Sequence, residues 1–371
     1  MRFKKYDTNW DRKKLSDYVK KITRKNSNNV IKNVICNSAQ NGLIPQLDFF
    51  DKEIANNENT AGYYIISNGD FVYNPRKSLS APYGPVNIYK YDSDGIVSPL
   101  YLCFSVDDCI NKSFLLQRFK SPCWYRYIYL NGDSGARHDR VSIKDEVFLS
   151  QPINLPNAEE QAVIAEFLEK IDERISVQNK IISKHETLIK GLCDLLFSNT
   201  TTVISPLKSI ATINKGQQIN GLALAKTDEY YYLNGGISPS GYVQEYNTSE
   251  NTISISEGGN SCGFVAYNTQ KFWSGGHCYT LKIINTKCRS KFLYFYLKHR
   301  EKDIMQLRVG SGLPNIQKRS LENFAVALPS VEKQYYIEHI LECITAKKEI
   351  ETDLLGQFQS QKKFLLSKMF I

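Results

Sequence analysis

The sequence lacks the short signatures on which most nucleic-acid enzymes depend. It contains no Gly-Lys-Ser or Gly-Lys-Thr, and without that end to a phosphate-cradling loop a motor ATPase is excluded. It contains no Pro-Pro, so the two prolines before an aromatic residue that an amino-methyltransferase needs are missing; Asn74-Pro75-Arg76 meets only half of that pattern. None of the 12 prolines precedes Asp and no Glu-x-Lys occurs, which removes the common metal-binding core of restriction nucleases. The nine cysteines are odd in number, and the nearest pair, Cys103 and Cys109, is not at CxxC spacing. Zinc and a disulfide framework are therefore not expected, and the cysteines read as reduced and buried. The five histidines, His138, His185, His277, His299 and His339, are scattered. We expect no catalytic residue and no metal site. No apolar run approaches the ~18 residues of a membrane span, and the first residues, Met1 to Asp7, have no apolar signal core. A cytoplasmic location follows as the expectation.

What is present begins with size. The chain has 371 residues, 42% of them hydrophobic and 23% charged, which is ordinary for folded protein and enough for two or more domains. Its main feature is an internal repeat. Leu155 to Phe197 aligns without a gap to Leu328 to Phe370, with 11 of 43 positions identical: Leu155/Leu328, Pro156/Pro329, Glu159/Glu332, Gln161/Gln334, Ile164/Ile337, Leu168/Leu341, Glu169/Glu342, Ile171/Ile344, Lys190/Lys363, Leu192/Leu365 and Phe197/Phe370.

Both copies predict long helices that start after a proline, with Asn157 or Ser330 placed to cap free backbone N–H groups. In the first, Ile164, Leu168, Ile171, Ile175, Gln178, Ile182, His185, Ile189, Leu192 and Leu196 step by four and three residues in alternation, the period of a coiled-coil seam. The second keeps Ile337, Leu341, Ile344, Leu355, Phe358, Leu365 and Met369 but has Lys348, Glu351 and Lys362 at seam positions, so its stripe is expected to shift by a stutter. A ~40-residue helix is ~60 Å long. With such a stripe neither helix is stable alone in water, and the other copy is its nearest partner.

The reading is therefore α+β: two small α+β domains, residues 1–155 and 200–328, separated by two long antiparallel helices, residues 156–199 and 329–371, in a pseudo-two-fold repeat. Strands are expected around 62–66, 100–104, 252–255 and 280–283, and helices over 113–119 and 291–298. Lys and Arg outnumber Asp and Glu by 22 to 16 in residues 1–155 and by 14 to 8 in 201–329, against 5 to 8 and 6 to 6 in the helices. Two basic domains on rods with no basic excess suit a polyanionic partner, and base readout needs Arg, Lys, Asn or Gln on loops. The candidates are Gln46, Asn74, Arg76, Lys77, Arg137, His138 and Arg140 in the first domain. In the second they are Lys215, Gln217, Asn234, Asn260, Ser261, His277, Asn315, Gln317 and Lys318.

These features resemble the specificity subunit of type I restriction-modification systems over nearly the whole chain. The residues that carry the likeness are Leu155-Pro156, Glu160-Gln161, Ile164 to Leu168, Ile171-Asp172 and Lys190-Gly191-Leu192, with the second copy from Leu328-Pro329 to Met369-Phe370. Asn234 to Ile237, Gly258-Gly259-Asn260, Phe272-Trp273-Ser274 and Gly310 to Ile316 look like one class of target-recognition domain. Asp70 to Arg76 and Ser134 to Arg137 resemble another. The resemblance implies a non-catalytic subunit that reads the two halves of an interrupted double-stranded DNA target, with the helices setting the gap and docking two methyltransferase subunits. Those partners would use S-adenosylmethionine on adenine, and added motor-nuclease subunits would cleave with ATP and magnesium. The alternative is the recognition subunit of a type IIB-like enzyme.

Overall fold

A computed structural model describes residues 5–6, 9–49, 60–133, 139–198, 203–221, 224–310 and 312–370. The chain forms two compact units, Met1–Gln178 with Leu354–Ile371, and Asn179–Asp353. The division runs through both long helices, so each unit contains one globular portion and a stretch of each helix.

In the first unit a four-stranded antiparallel sheet has the order Val19–Lys21, Leu102–Val106, Phe71–Tyr73, Val86–Ile88. Side chains alternate across a strand, and here the alternation feeds two cores. Phe71 and its register partner Phe104 stack at 5.5 Å and join Phe114, Leu115 and Phe119 of the helix Lys112–Lys120. Their neighbours Val72 and Cys103 face the other way, into a cluster with Ile35, Leu43, Ile66 and Tyr89.

The second unit repeats this plan. Its sheet runs Ala211–Lys215, Cys278–Ile283, Thr252–Ser256, Val265–Asn268, also antiparallel. Ile253, Ile255 and Leu281 pack with Phe292, Leu293 and Leu297 of the helix Ser290–His299. In each unit the third strand in chain order lies at one edge, and the fourth is inserted between the first and second. A two-stranded ribbon then leads to each long helix: Asp11–Lys14 with Pro152–Leu155, and Val203–Pro206 with Ala325–Leu328. The expected strands and short helices are present to within two or so residues at each end. All nine cysteines are free, and Cys109, Cys123 and Cys343 are exposed, contrary to the expectation of burial. No helix among the described residues is long and apolar enough to cross a membrane.

The long helices span Ala158–Ser198 and Val331–Met369. Asn157 Oδ1 accepts the Glu160 N–H at 2.8 Å and Ser330 Oγ the Lys333 N–H at 3.3 Å, so both caps act on the donors that a helix start leaves unpaired. The repeat's shared glutamines do parallel work. Gln161 accepts the Asn111 N–H and donates to the Pro156 carbonyl, each at 2.9 Å. Gln334 accepts the Arg289 N–H and donates to the Lys287 and Pro329 carbonyls, all at 2.9 Å. Each therefore fastens a long-helix start to the N-cap of the short helix on its own sheet. About two turns later Glu169 accepts from Ser113 at 2.5 Å and Glu342 pairs with Lys291.

Within each unit the two helix stretches run antiparallel. In the first, Asp172 pairs with Lys362 and Arg174 lies over Phe358. In the second, Glu186 pairs with Lys348 at 3.0 Å, while Cys193, further along, shares a core with Leu341 and Ile337. The seam residues Ile164, Leu168, Ile337, Leu341 and Leu365 are buried, and Ile171, Ile175, Ile182, Ile189, Leu192, Leu196, Ile344, Leu355 and Phe358 are half-buried. The expected stutter does not occur. Lys348, Glu351 and Lys362 remain at seam positions, half-buried, because an acidic residue on the facing helix receives each of the two lysines.

Lys362, with its side chain 12% exposed, depends on that partner. Burial, and then the nearby Lys120 charge, pull its pKa down against the support of Asp172. Burial would raise the Asp172 pKa, yet Lys120 and Lys362 together hold it below the ordinary carboxylate value. A carboxyl held low in the folded state contributes stability that is present above its unfolded pKa and lost as the pH falls through the folded one. Asp172→Ala leaves Lys362 beside Lys120 with no counter-charge. We expect a loss of about 2 kcal/mol, less than the ~3–5 kcal/mol of a fully buried pair because Asp172 is partly exposed. Adding Lys362→Met should restore most of it in denaturant unfolding; no recovery would show that the ion pair is not the source.

Candidate nucleic-acid interface

In the first unit the sheet's central strand ends at Tyr73, and the chain turns through Asn74. The turn is held by amides. Asn74 Oδ1 accepts the Arg76 N–H at 3.0 Å, and its Nδ2 donates to the Asn37 carbonyl at 3.1 Å. Asn37 donates to Val72 O at 2.7 Å and accepts from Asn87 at 2.7 Å. Gly84, at φ +84°, faces the same turn, where a Cβ would overlap the Asn74 carbonyl, so only glycine fits there. Arg76 bridges to Arg140 across an antiparallel pair, and Lys77 N donates to Asp139 O at 2.8 Å. The result is a groove of about 370 Å³ lined by Asn37, Asn74, Arg76, Lys77, Tyr101 and Arg140 among others. The Arg76 side chain is 68% exposed, and its Asp139 partner is 3.7 Å away, a loose pairing that leaves most of the guanidinium fork open.

Gln46 does not join this groove: it is buried at the start of a short helix, its N–H donating to Val34 O at 2.8 Å. Arg137 and His138 lie outside the described residues.

In the second unit four separate loops meet around one carboxylate. Glu257 follows the strand Thr252–Ser256 and is 8% exposed. Its Oε1 accepts from Lys215 Nζ at 2.6 Å and from Tyr279 OH at 3.1 Å, and its Oε2 is 3.4 Å from His277 Nδ1. Burial, reinforced by the Glu257 charge, pushes the Tyr279 pKa up, so the hydroxyl stays protonated and donates. Asn234 Oδ1 accepts the His277 N–H at 3.1 Å. Gly235, at φ +78°, lies against the His277 carbonyl. Asn315 bridges to Gly258, and the Gly259 N–H donates to Pro314 O at 3.0 Å, which brings the Asn260 and Ser261 turn alongside. Gln217 is exposed beside Lys215, and the two help line a second groove of about 440 Å³. Gln317 and Lys318 are exposed just past Ile316, with Lys318 3.7 Å from Glu322.

The structure therefore brings together Asn74, Arg76, Lys77 and Arg140 in one unit, and Lys215, Asn234, His277 and Asn315 in the other. Sequence reasoning missed Asn37, Asn87, Tyr101 and above all Glu257. An acidic residue in a polar, glycine-rich loop reads as solvated surface, and only its place before Gly258-Gly259 at a strand end hinted otherwise. Chemically, both clusters offer hydrogen-bond donors and amides on exposed turns, the inventory of base and phosphate contacts. No group of three potential metal ligands occurs among the described residues.

Comparison with known proteins agrees with this inventory. The chain is 33% identical over 177 residues to a putative type I specificity subunit of Mycoplasma pneumoniae, and 27% identical over 174 residues to one of Mycoplasma genitalium. These matches cover 47% and 44% of this chain, and the chain spans about half the length of the curated relatives it matches, 47% and 45% respectively. Its fold is similar to the crystal structure of a type I restriction-modification S subunit from M. genitalium, with a TM-score of 0.67 and 18% identity over 98% of this chain and 97% of that one. A chain from a structure concerned with complex assembly and conformational transition of the type I R-M system gives a TM-score of 0.59 and 15% identity, covering 97% of both chains. The sequence profile of the type I restriction modification DNA specificity domain matches residues 8–186 and again 199–358, and with two such matches accounting for most of its length the chain belongs to that family.

Proposed function

We propose that this chain is the recognition subunit of a type I restriction-modification enzyme, each unit reading one half of an interrupted double-stranded DNA target. The observation that carries the reading is the repetition of one sheet order, with a polar turn at the same strand end in both units and basic side chains beside it, Arg76 and Arg140 in the first and Lys215 and His277 in the second. A duplicated reader matches a bipartite target as two half-site domains of other DNA-binding proteins match two half-sites. The long helices are the spacer that fixes the gap and the surface that docks two methyltransferase subunits. In this scheme the partners bring S-adenosylmethionine and methylate adenine, and motor-nuclease subunits, where present, use ATP and magnesium to cleave. This chain supplies recognition and no catalytic step.

The test is to co-express the chain with a methyltransferase subunit of the same system and map methylated adenines across a genome. The expected product is a single motif of two specified halves separated by a fixed run of unspecified bases. A contiguous motif, or the same motif without this chain, would overturn the proposal.

A further inference from the structure

We infer that Glu257 is a positioning residue of the second reader: its buried carboxylate compensates Lys215 and orients His277, so that their donors meet base edges instead of phosphates. Three observations carry this. First, the exposure is split. Glu257 is 8% exposed, whereas the Lys215 and His277 side chains are 53% and 64% exposed. The anion lies beneath two cationic or potentially cationic heads that face solvent.

Second, the same residue ties the loops through its backbone. The Glu257 N–H donates to His277 O at 2.9 Å and its carbonyl accepts the Ile316 N–H at 2.8 Å. Oε2 is buried and has no hydrogen bond among the described residues, leaving His277 Nδ1 at 3.4 Å as the group it faces. Burying a carboxylate is costly, and a leucine would hold the same volume without that cost. The attested return on such a group is fixed geometry.

Third, the position recurs. The strand Phe71–Tyr73 ends with Tyr73 opposite Leu102, and the strand Thr252–Ser256 ends with Ser256 opposite Cys278. The next residues are Asn74 and Glu257. Asn74 organises the Arg76 turn as Glu257 organises the Lys215 and His277 pair, so each sheet carries one polar organiser at this register position. Lys215 retains N–H donors beyond the one given to Glu257, and a compensated ammonium favours directional bonds to acceptor-rich base edges over an undirected phosphate contact.

This inference rests on the two-reader assignment. The experiment compares Glu257→Gln, Lys215→Ala and the double variant, each as the full chain in complex with its methyltransferase partner. The glutamine oxygen can still accept from Lys215 and Tyr279 but no longer cancels the lysine's charge. For Glu257→Gln we expect the slope of log affinity against log salt to steepen by about 0.9, one more phosphate neutralised. Discrimination against wrong bases should fall by about 5-fold or more in the second half only, and the double variant should return the slope to its starting value. An unchanged slope with unchanged discrimination, or an equal loss at both halves together with a lower melting temperature, would overturn the role given to Glu257. If Lys215→Ala erases second-half reading while Glu257→Gln alters neither slope nor preference, the role fails and the two-reader assignment stands. If Lys215→Ala leaves second-half reading intact, the assignment of this loop fails and takes the Glu257 role with it.

Discussion

Replacing Arg76 and Arg140 together by alanine should erase base preference in one half of the DNA target and leave the other half as it was. Both arginines line one groove in one unit, bridged to each other across an antiparallel pair. Arg76 is loosely held by Asp139 at 3.7 Å, so little intramolecular bonding must be given up when DNA arrives. A good bidentate arginine–guanine contact is worth ~1–3 kcal/mol of discrimination, roughly 5- to 150-fold. The pair should therefore flatten preference at up to two base positions, while a non-specific phosphate role would weaken binding to all sequences alike. The measurement is the methylation rate on plasmid libraries randomised in one half-target at a time. Stability should change little, since both substitutions are at the surface. An equal loss at both halves, or weakened binding with no change in base preference, would remove these arginines from sequence reading.

The largest effect on stability is expected from Gln334→Leu. Gln334 is fully buried, and leucine approximates its volume but makes none of its three bonds, to Arg289 N–H and to the Lys287 and Pro329 carbonyls. A buried backbone group left without a partner costs ~1–3 kcal/mol. Three together should cost on the order of 4 kcal/mol, a large part of the ~5–15 kcal/mol that holds a domain folded. Gln161→Leu strands two such groups in the other unit, Asn111 N–H and Pro156 O, and should cost less. Denaturant unfolding of the two variants checks the order, and hydrogen exchange at the Arg289 amide checks the site. A larger effect at Gln161 would mean that packing, not backbone satisfaction, sets the value of these glutamines.

Those glutamines show how far the repeat could be read in advance. Their identity between the two copies was plain in the sequence. Its cause was not, because the partners at Asn111 and Arg289 are 50 and 45 residues away. Glu169 and Glu342 are the same case: identical in both copies, each accepting from the short helix of its own sheet. The lysines in the second helix's seam misled for a related reason. A charged seam position predicts a shifted stripe until Asp172 and Glu186 are seen across from it. Gln46 misled in the opposite direction, since a polar residue after a turn gives no local sign that it will be buried.

Helix starts, the 3.5-residue period, the duplication and the excess of basic residues in two segments are local or compositional properties, and the amino-acid order alone determined them. The shared sheet order, the meeting of Lys215, Asn234, His277 and Asn315 over Glu257, and the pairing of Arg76 with Arg140 were decided only by the tertiary structure. The strands concerned are three to six residues long, too short for periodicity to name their partners. Apart from the two hairpins Phe71–Tyr73 with Val86–Ile88 and Thr252–Ser256 with Val265–Asn268, their pairing is long-range, and there burial of both sheet faces selects the register.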